Sequence, residues 1–236
     1  MSNKNYSNKQ IDQNLKILIN TLTEHKINYW ICHGTLLGII RDNKLIPWDH
    51  DIDIGVLENK ISRRIIPIIL KKKGFKEIKK TFLDDDGMLK FVKSGGREVD
   101  INFYKVNKGK KTVYVKWHIP RNFIMRALDV LSFSKTYKGN AYKFINFLSF
   151  SERFFLALKK IFVKIGFFYS HAGYSHKLEY SIKLKKFNFF GLNLIVPFNF
   201  KDYLKDLYGV NWRTPIKKYN WIKHSPSTIL FNKNSK

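Results

Sequence analysis

The chain has 236 residues, 44% of them hydrophobic, with 44 Lys and Arg against 18 Asp and Glu and a formal charge of +26. That length and apolar content suffice for a domain with a proper core and exclude a disordered chain. The charge favours anionic partners: nucleic acid, an anionic membrane face or phosphorylated substrates.

One cysteine, Cys32, excludes an intramolecular disulfide. The polar start lacks the apolar core of a signal peptide, and no run reaches the ~18 apolar residues of a membrane span. A cytoplasmic protein is expected. Ile11, Leu15, Leu18 and Leu22 recur at helical spacing and predict an amphipathic helix over 9–25. "NYWIC" (28–32) reads as a strand broken by Gly34, after which Thr35 is expected to cap a short helix over "LLGIIR". "DIDIGV" (51–56) reads as the next strand. Residues 58–72 read as a helix with Ile61, Ile65, Ile68 and Ile69 on one side. "GFKEI", "LKFVKS", "EVDINFY" and "KTVYVKW" read as further strands. This order predicts an α+β fold: a mixed sheet with flanking helices over 1–110, and a helical, basic extension over 111–236 that completes the same domain.

Within that extension, residues 143–168 mix Phe144, Phe147, Phe150, Phe154, Phe155, Leu158, Phe162 and Phe168 with Lys143, Arg153, Lys159, Lys160 and Lys164. They read either as a core helix or as a basic, aromatic helix resting on an anionic membrane face. Residues 190–215 read as a strand or hairpin, then a short helix, then an extended exit.

The chemistry concentrates in "HGTLLGIIRDNKLIPWDHDIDIGV" (33–56). In extended chain, Asp49, Asp51 and Asp53 share a face, with Ile52 and Ile54 on the other. Clustered carboxylates need a cation, and hard oxygen ligands favour Mg²⁺ or Mn²⁺. An EF-hand is excluded, because its Gly and Glu positions hold Ile54 and Lys60. A second acidic strand carries Glu98 and Asp100. If it lies beside 51–56, Asp100 joins the same ion. The Gly34–Thr35 turn, opening a helix, offers N–H groups to a phosphate. Cys32 and His33 face opposite ways in a strand and form no nucleophilic dyad. His171 and His176 read as ordinary polar residues, and Pro47 and Trp48 as shaping the turn into the strand.

The stretch "CHGTLLGIIRDNKLIPWDHDIDIGV" resembles the signature of the LicD and fukutin-related family, within the nucleotidyltransferase fold. The matching positions are Gly34-Thr35, Leu37-Gly38, Arg41, Ile46-Pro47-Trp48-Asp49, Asp51 and Asp53. "REVDINFY" resembles the strand with the third carboxylate, Asp100, and "YLKDLYGVNWRTP" resembles the closing element. Many relatives carry Gly-Ser or Gly-Gly-Ser where this chain has His33-Gly34-Thr35.

The resemblance implies transfer of a phosphorylated group, such as phosphocholine or an alditol phosphate, from a CDP-linked donor. The acceptor would be a cell-surface glycan, teichoic acid or lipid-linked oligosaccharide. Asp51, Asp53 and Asp100 would hold Mg²⁺ or Mn²⁺, and Asp49 the strand entrance or a second metal. Gly34 and Thr35 would cradle phosphate, Arg41 would neutralise an oxyanion, and Asp100 would take the acceptor's proton. An enzyme using lipid-linked acceptors would work in the cytoplasm, peripheral to the inner membrane face. Two rivals stand beside this reading. One is a nucleotidyltransferase moving NMP from an NTP to a small molecule or RNA. The other is a nucleic-acid-binding module, which the aligned aspartates disfavour, since carboxylates repel phosphate unless a metal intervenes.

Overall fold

A computed structural model describes residues 11–78, 87–120, 152–165 and 169–231, with 122, 124, 125, 128 and 131 between them. Two compact units emerge. The first comprises Met1–Ile78, Met88–Val115 and Tyr174–Thr228; the second comprises Lys79–Gly87, Lys116–Gly173 and Ile229–Lys236.

In the first unit the carboxylate of Asp12 accepts the N–H groups of Asn14 and Leu15 at 2.9 and 3.2 Å, and so fixes the start of helix α1 (Gln13–Glu24). The cap decides the boundary, which falls later than the apolar spacing suggests. The same carboxylate accepts the Arg97 N–H at 3.1 Å, and Asn14 donates to the carbonyls of Lys93 and Arg97. These bonds tie α1 to the turn before the acidic strand. Leu15, Leu18 and Leu22 of α1 are fully buried.

Strand β1 is short (Trp30–Ile31) and helix α2 (His33–Asp42) follows at once. Strand β2 (Asp51–Leu57) leads to helix α3 (Lys60–Lys72), which Asn59 caps by accepting the Ser62 N–H at 2.7 Å. α3 buries Ser62, Ile66, Ile69 and Leu70. Of the expected stripe of Ile61, Ile65, Ile68 and Ile69, Ile69 is buried, while Ile61 and Ile68 lie in solvent. Both stripes have helical spacing, and only the packing against the unit's core distinguishes them.

The sheet is built from β1, β2, β3 (Lys76–Glu77), β4 (Met88–Val92), β5 (Glu98–Asn107) and the first residues of β6 (Thr112–Pro120). β1 is antiparallel to β2, β2 is parallel to β5, and β5 is antiparallel to both β4 and β6. This is the mixed sheet expected of the α+β class. β5 lies centrally, with residues 99–104 all buried. Trp30 lies opposite Gly55, and a Cβ at Gly55 would run into the indole ring.

Among its described residues the second half of the chain is less helical than expected over 111–236, while the hairpin and short helix expected within 190–215 are present. Among its described residues, helices α4 (Glu152–Ile165), α5 (Glu179–Ile182), α6 (Phe200–Tyr208) and α7 (Trp221–His224) alternate with strands β7 (Tyr169–Lys177), β8 (Leu184–Phe189), β9 (Leu192–Pro197) and β10 (Thr228–Phe231). β8 and β9 pair as a hairpin through Phe190 and Gly191, both at positive φ. Short alternating runs such as "LNLIVP" fit a pleated ribbon, and the helical spacing read over 143–168 does not extend to them.

In the second unit α4 packs Phe155, Leu158, Phe162 and Val163 against Met125 and Leu128, while Phe154, Ile161 and Ile165 are exposed. Lys159 is fully buried, so it belongs to no surface stripe. Of the expected basic aromatic segment, 143–151 and 166–168 lie outside the described residues. Among the described residues no helix is long and apolar enough to cross a membrane.

Gly55 gives a direct check on the sheet. Gly55→Ala forces the Trp30 ring aside, and overpacking of this kind costs about 1–3 kcal/mol. The expected outcome is a lowered Tm by calorimetry, with the loss largely recovered in Gly55→Ala/Trp30→Leu.

Candidate active site

The parallel pairing of β2 and β5 places Asp51 opposite Glu98 and Asp53 opposite Asp100. Successive side chains alternate between faces, so Ile52, Ile54, Val99 and Ile101 enter the core and the four acidic residues share the other side. Asp49 reaches that face from outside the strand. It sits in the preceding turn, where its N–H donates to the Ile46 carbonyl at 3.1 Å, and its carboxylate hydrogen-bonds with Asp51. The extended conformation thus begins at Asp51 rather than Asp49.

A lysine from β4 enters the same face. Lys90 lies directly across from Asp100. Its Nζ stands 3.0 Å from Asp100 Oδ1, 3.1 Å from Glu98 Oε2 and 4.0 Å from Asp51 Oδ2. Burial opposes its charge, but the Asp100, Asp51 and Glu98 carboxylates outweigh burial, so Lys90 holds its proton more tightly than an ordinary lysine.

Burial pushes Asp49 up to about 7, with the hydrogen bond and charge of Asp51 adding and Arg97 opposing. Burial also raises Asp53 well above the usual carboxylate range, and Asp51, Asp100 and Asp49 add to it. Asp100, 5% exposed, is pushed up to about 7 by burial against the pull of Lys90. A bound cation would favour the charged form of these carboxylates. Their hard oxygens fit Mg²⁺ or Mn²⁺ in chemistry. Among the described residues, no group of three His, Cys, Asp or Glu already stands where it could hold a metal ion. Binding an ion would therefore re-aim these side chains.

Helix α2 points its N-terminus at the same place. Its N-cap residue, Cys32, contributes no side-chain bond, so the first N–H groups are not capped from that side chain. A Cβ at Gly34 would collide with the Asp49 carboxylate and stand 3.8 Å from an Asp53 oxygen, so glycine is needed for this approach. Thr35 does not cap the helix. Its buried Oγ1 accepts the Asp53 N–H at 2.8 Å and ties α2 to β2. That hydroxyl braces the turn against β2.

His33 adopts φ +46, a left-handed conformation that favours glycine. This is where many relatives carry Gly in a Gly-Gly-Ser run. Its Nε2 shares a 2.7 Å hydrogen bond with Tyr104 Oη, and its ring lies 4.5 Å from that of Tyr174. Burial lowers His33 to about 4, with Asp51 opposing, and lowers His176 to about 3, with His33 adding. His176 is not the ordinary polar residue expected. It sits among Trp30, Tyr104, Tyr180 and Tyr203, and neither ring nitrogen has a hydrogen-bond partner. This neutral aromatic layer underlies the carboxylate face. Nothing in the spacing of these residues along the chain groups them.

A cavity of about 340 Å³ opens beside Gly34 and Asp49, walled by Arg41, Trp48, Tyr208, Trp212, Lys217 and Tyr219. Trp48 therefore does more than shape the turn. Arg41 is already engaged: its Nη2 and Nε donate to the two Asp42 oxygens at 2.7 and 2.9 Å. The cavity gathers residues from the first motif and from 208–219, which the sequence alone left as separate segments.

Residues 26–138 match the family model described as LicD/FKTN/FKRP, nucleotidyltransferase domain, and the resemblance read from the sequence is borne out over that span. The uncharacterized protein RT0683 of Rickettsia typhi is 32% identical over 126 residues, which are 53% of this chain and 36% of that protein. Human ribitol 5-phosphate transferase FKRP is 31% identical over 48 residues, 20% of this chain and 10% of FKRP. The chain thus spans about a third or less of the length of these two relatives. The solution structure of the antibiotic-resistance factor ANT(2'')-Ia aligns at a TM-score of 0.32 and 12% identity, covering 66% of this chain and 94% of that one. That score is too low to argue a fold.

The raised carboxylates have a signed consequence. A carboxylate whose value rises on folding stabilises the fold fully below its unfolded value near 4, and this stability is lost as pH rises through about 7. In metal-free buffer the Tm should fall as the pH rises from about 4 to about 7. Asp49→Asn should flatten that fall. A profile identical in the variant would dissociate Asp49 from the effect.

Proposed function

We propose that the protein is a metal-dependent transferase that moves a phosphorylated group from a CDP-activated donor to a hydroxyl of a cell-surface glycan or lipid-linked oligosaccharide. The group would be of the phosphocholine or alditol-phosphate type. One observation carries the reading: the β2–β5 register lines up Asp51, Asp53, Glu98 and Asp100 on one face, against which the helix beginning at Gly34 and Thr35 abuts. The family match and the similarity to the ribitol 5-phosphate transferase FKRP support the reaction class.

The residues divide the work as follows. The N–H groups at the start of α2 receive phosphate oxygens. Asp51 and Asp53, with Asp49 beside them, would hold Mg²⁺ or Mn²⁺. The bound ion would offset the pyrophosphate's charge as it develops on the leaving group. The cavity beside Gly34 has room for a pyrimidine nucleoside against Trp48, Trp212 or Tyr219, with Lys217 and Arg41 supplying positive charge. Asp100 would take the acceptor's proton as the acceptor oxygen bonds to the distal phosphorus. The bond to the proximal phosphate then breaks and CMP leaves.

Purified protein, Mg²⁺ and a panel of CDP-linked donors test this by release of CMP. Asp51→Asn and Asp53→Asn should each lower release by roughly a hundredfold or more, the scale of losing a charge-stabilising group, with the fold intact by circular dichroism. Release of pyrophosphate from an NTP instead would establish the nucleotidyltransferase rival. DNA affinity unchanged in Asp51→Ala, with no turnover of any donor, would establish the binding module.

The exposed Phe154, Ile161 and Ile165 recur down one side of α4, next to exposed Lys160 and Lys164. Such a side suits peripheral contact with an anionic membrane, where each basic residue contributes about 1 kcal/mol. Co-sedimentation with anionic but not neutral vesicles, weakened by salt and lost in Phe154→Ser/Ile161→Ser, is the expected outcome. No binding to either vesicle would assign these residues another role.

A further inference from the structure

We infer that Lys90 is a fixed cation built into the carboxylate face, and that it occupies the corner between Asp51, Glu98 and Asp100 so that the site takes one exchangeable divalent cation rather than two. The inference rests on the metal-dependent reading above and says how many ions that reading involves.

Lys90 is placed by backbone pairing. It lies directly opposite Asp100 in the antiparallel β4–β5 ladder, and Asp100 lies directly opposite Asp53 in the parallel β5–β2 ladder. Directly opposed residues on one face are close neighbours, so Lys90, Asp100 and Asp53 form a row across three strands. The ladder cannot slip to move it. Phe91, the next residue, is 1% exposed and points to the other face, and a shift by one residue would exchange the two. The lysine side chain is 16% exposed. Its ammonium lies within hydrogen-bond distance of Asp100 and Glu98, at 3.0 and 3.1 Å, and in ion-pair range of Asp51 at 4.0 Å.

Two-metal phosphoryl-transfer sites hold their ions about 3.5–4 Å apart, bridged by shared carboxylates. On this face the second ion would need oxygens of Asp51 and Asp100, and those are the residues Lys90 contacts. A dication there would sit within a few ångströms of an ammonium group in a partly desolvated site, where like charges repel strongly. Oxygens of Asp49 and Asp53 face Gly34, and Asp51 pairs with Lys90 through Oδ2 alone, which leaves its other oxygen for the same ion. That side is open to an exchangeable ion together with a phosphate at the start of α2. Lys90 thus supplies permanently, at one corner, charge that a second ion supplies elsewhere. It also holds Asp100 in place without a ligand bound.

The test is Mn²⁺ stoichiometry on the full chain, by equilibrium dialysis with electron paramagnetic resonance, alongside CMP release. Wild type should bind one Mn²⁺ per chain. Lys90→Met, which keeps the apolar stem and removes the charge, should bind two and show the dipolar broadening of a close Mn²⁺ pair. If Lys90→Met folds only when Mn²⁺ is present, two ions in the refolded protein give the same support; Lys90→Gln serves as the second variant. Two ions on wild type, or one on both folded variants, overturns the inference while leaving the metal-dependent reading standing. No Mn²⁺ on any protein, with CMP release persisting in chelator, overturns that reading and the inference with it.

Discussion

The parallel register of β2 against β5 is the constraint on which the rest depends. It sets Asp53 beside Asp100 and Asp51 beside Glu98, and by strand alternation it commits Ile52, Ile54, Val99 and Ile101 to the core. Slipping this pairing by one residue would exchange apolar and acidic side chains between the faces, so the core's hydrophobic burial holds the acidic face in register. Burial of the carboxylates, with their mutual repulsion adding, is thereby borne by core packing, and it raises their acid values in the folded protein.

Around this pairing, the short contacts connect elements distant in sequence. Thr35 Oγ1 to the Asp53 N–H joins the start of α2 to β2, and the Cys32 N–H to the Asp53 carbonyl joins it again at 3.2 Å. His33 reaches Tyr104 at the far end of β5. The positive φ at His33 is held against its cost by this bond and by the aromatic rings around it. A turn with these attachments is shaped before any ligand binds, which lowers the ordering cost of binding.

Much of this was legible in the sequence. Alternation in "DIDIGV" and "EVDINFY" gave the strands and their inward and outward faces, and the Gly-Thr turn announced a helix start. Two kinds of information were absent. Partner choice between strands is non-local: nothing in "LKFVKS" says that Lys90 will face Asp100, because that follows from the antiparallel pairing of β4 with β5. Burial phase in α3 was equally open, since the Ile61 and Ile66 stripes are both apolar and packing alone selected the second. The cavity wall of Tyr208, Trp212 and Tyr219 could not be joined to Trp48 for the same reason. In the second half the hairpin and short helix within 190–215 were legible from their alternation, whereas strand β7, which lacks a clear apolar alternation, was not.

Cys32 sits where β1 gives way to α2, with no exposed surface. Burial, and then the charges of Asp53, Asp100 and Asp51, push its thiol well above the ordinary range. Thiolate, the reactive form, is thereby suppressed twice over, by exclusion from solvent and by the surrounding negative field. The chain's single sulfhydryl is chemically silent while β1 stays paired with β2. Its alkylation clocks the local opening of that seam, and a labelling half-life reads directly how often the floor of the acidic face comes apart.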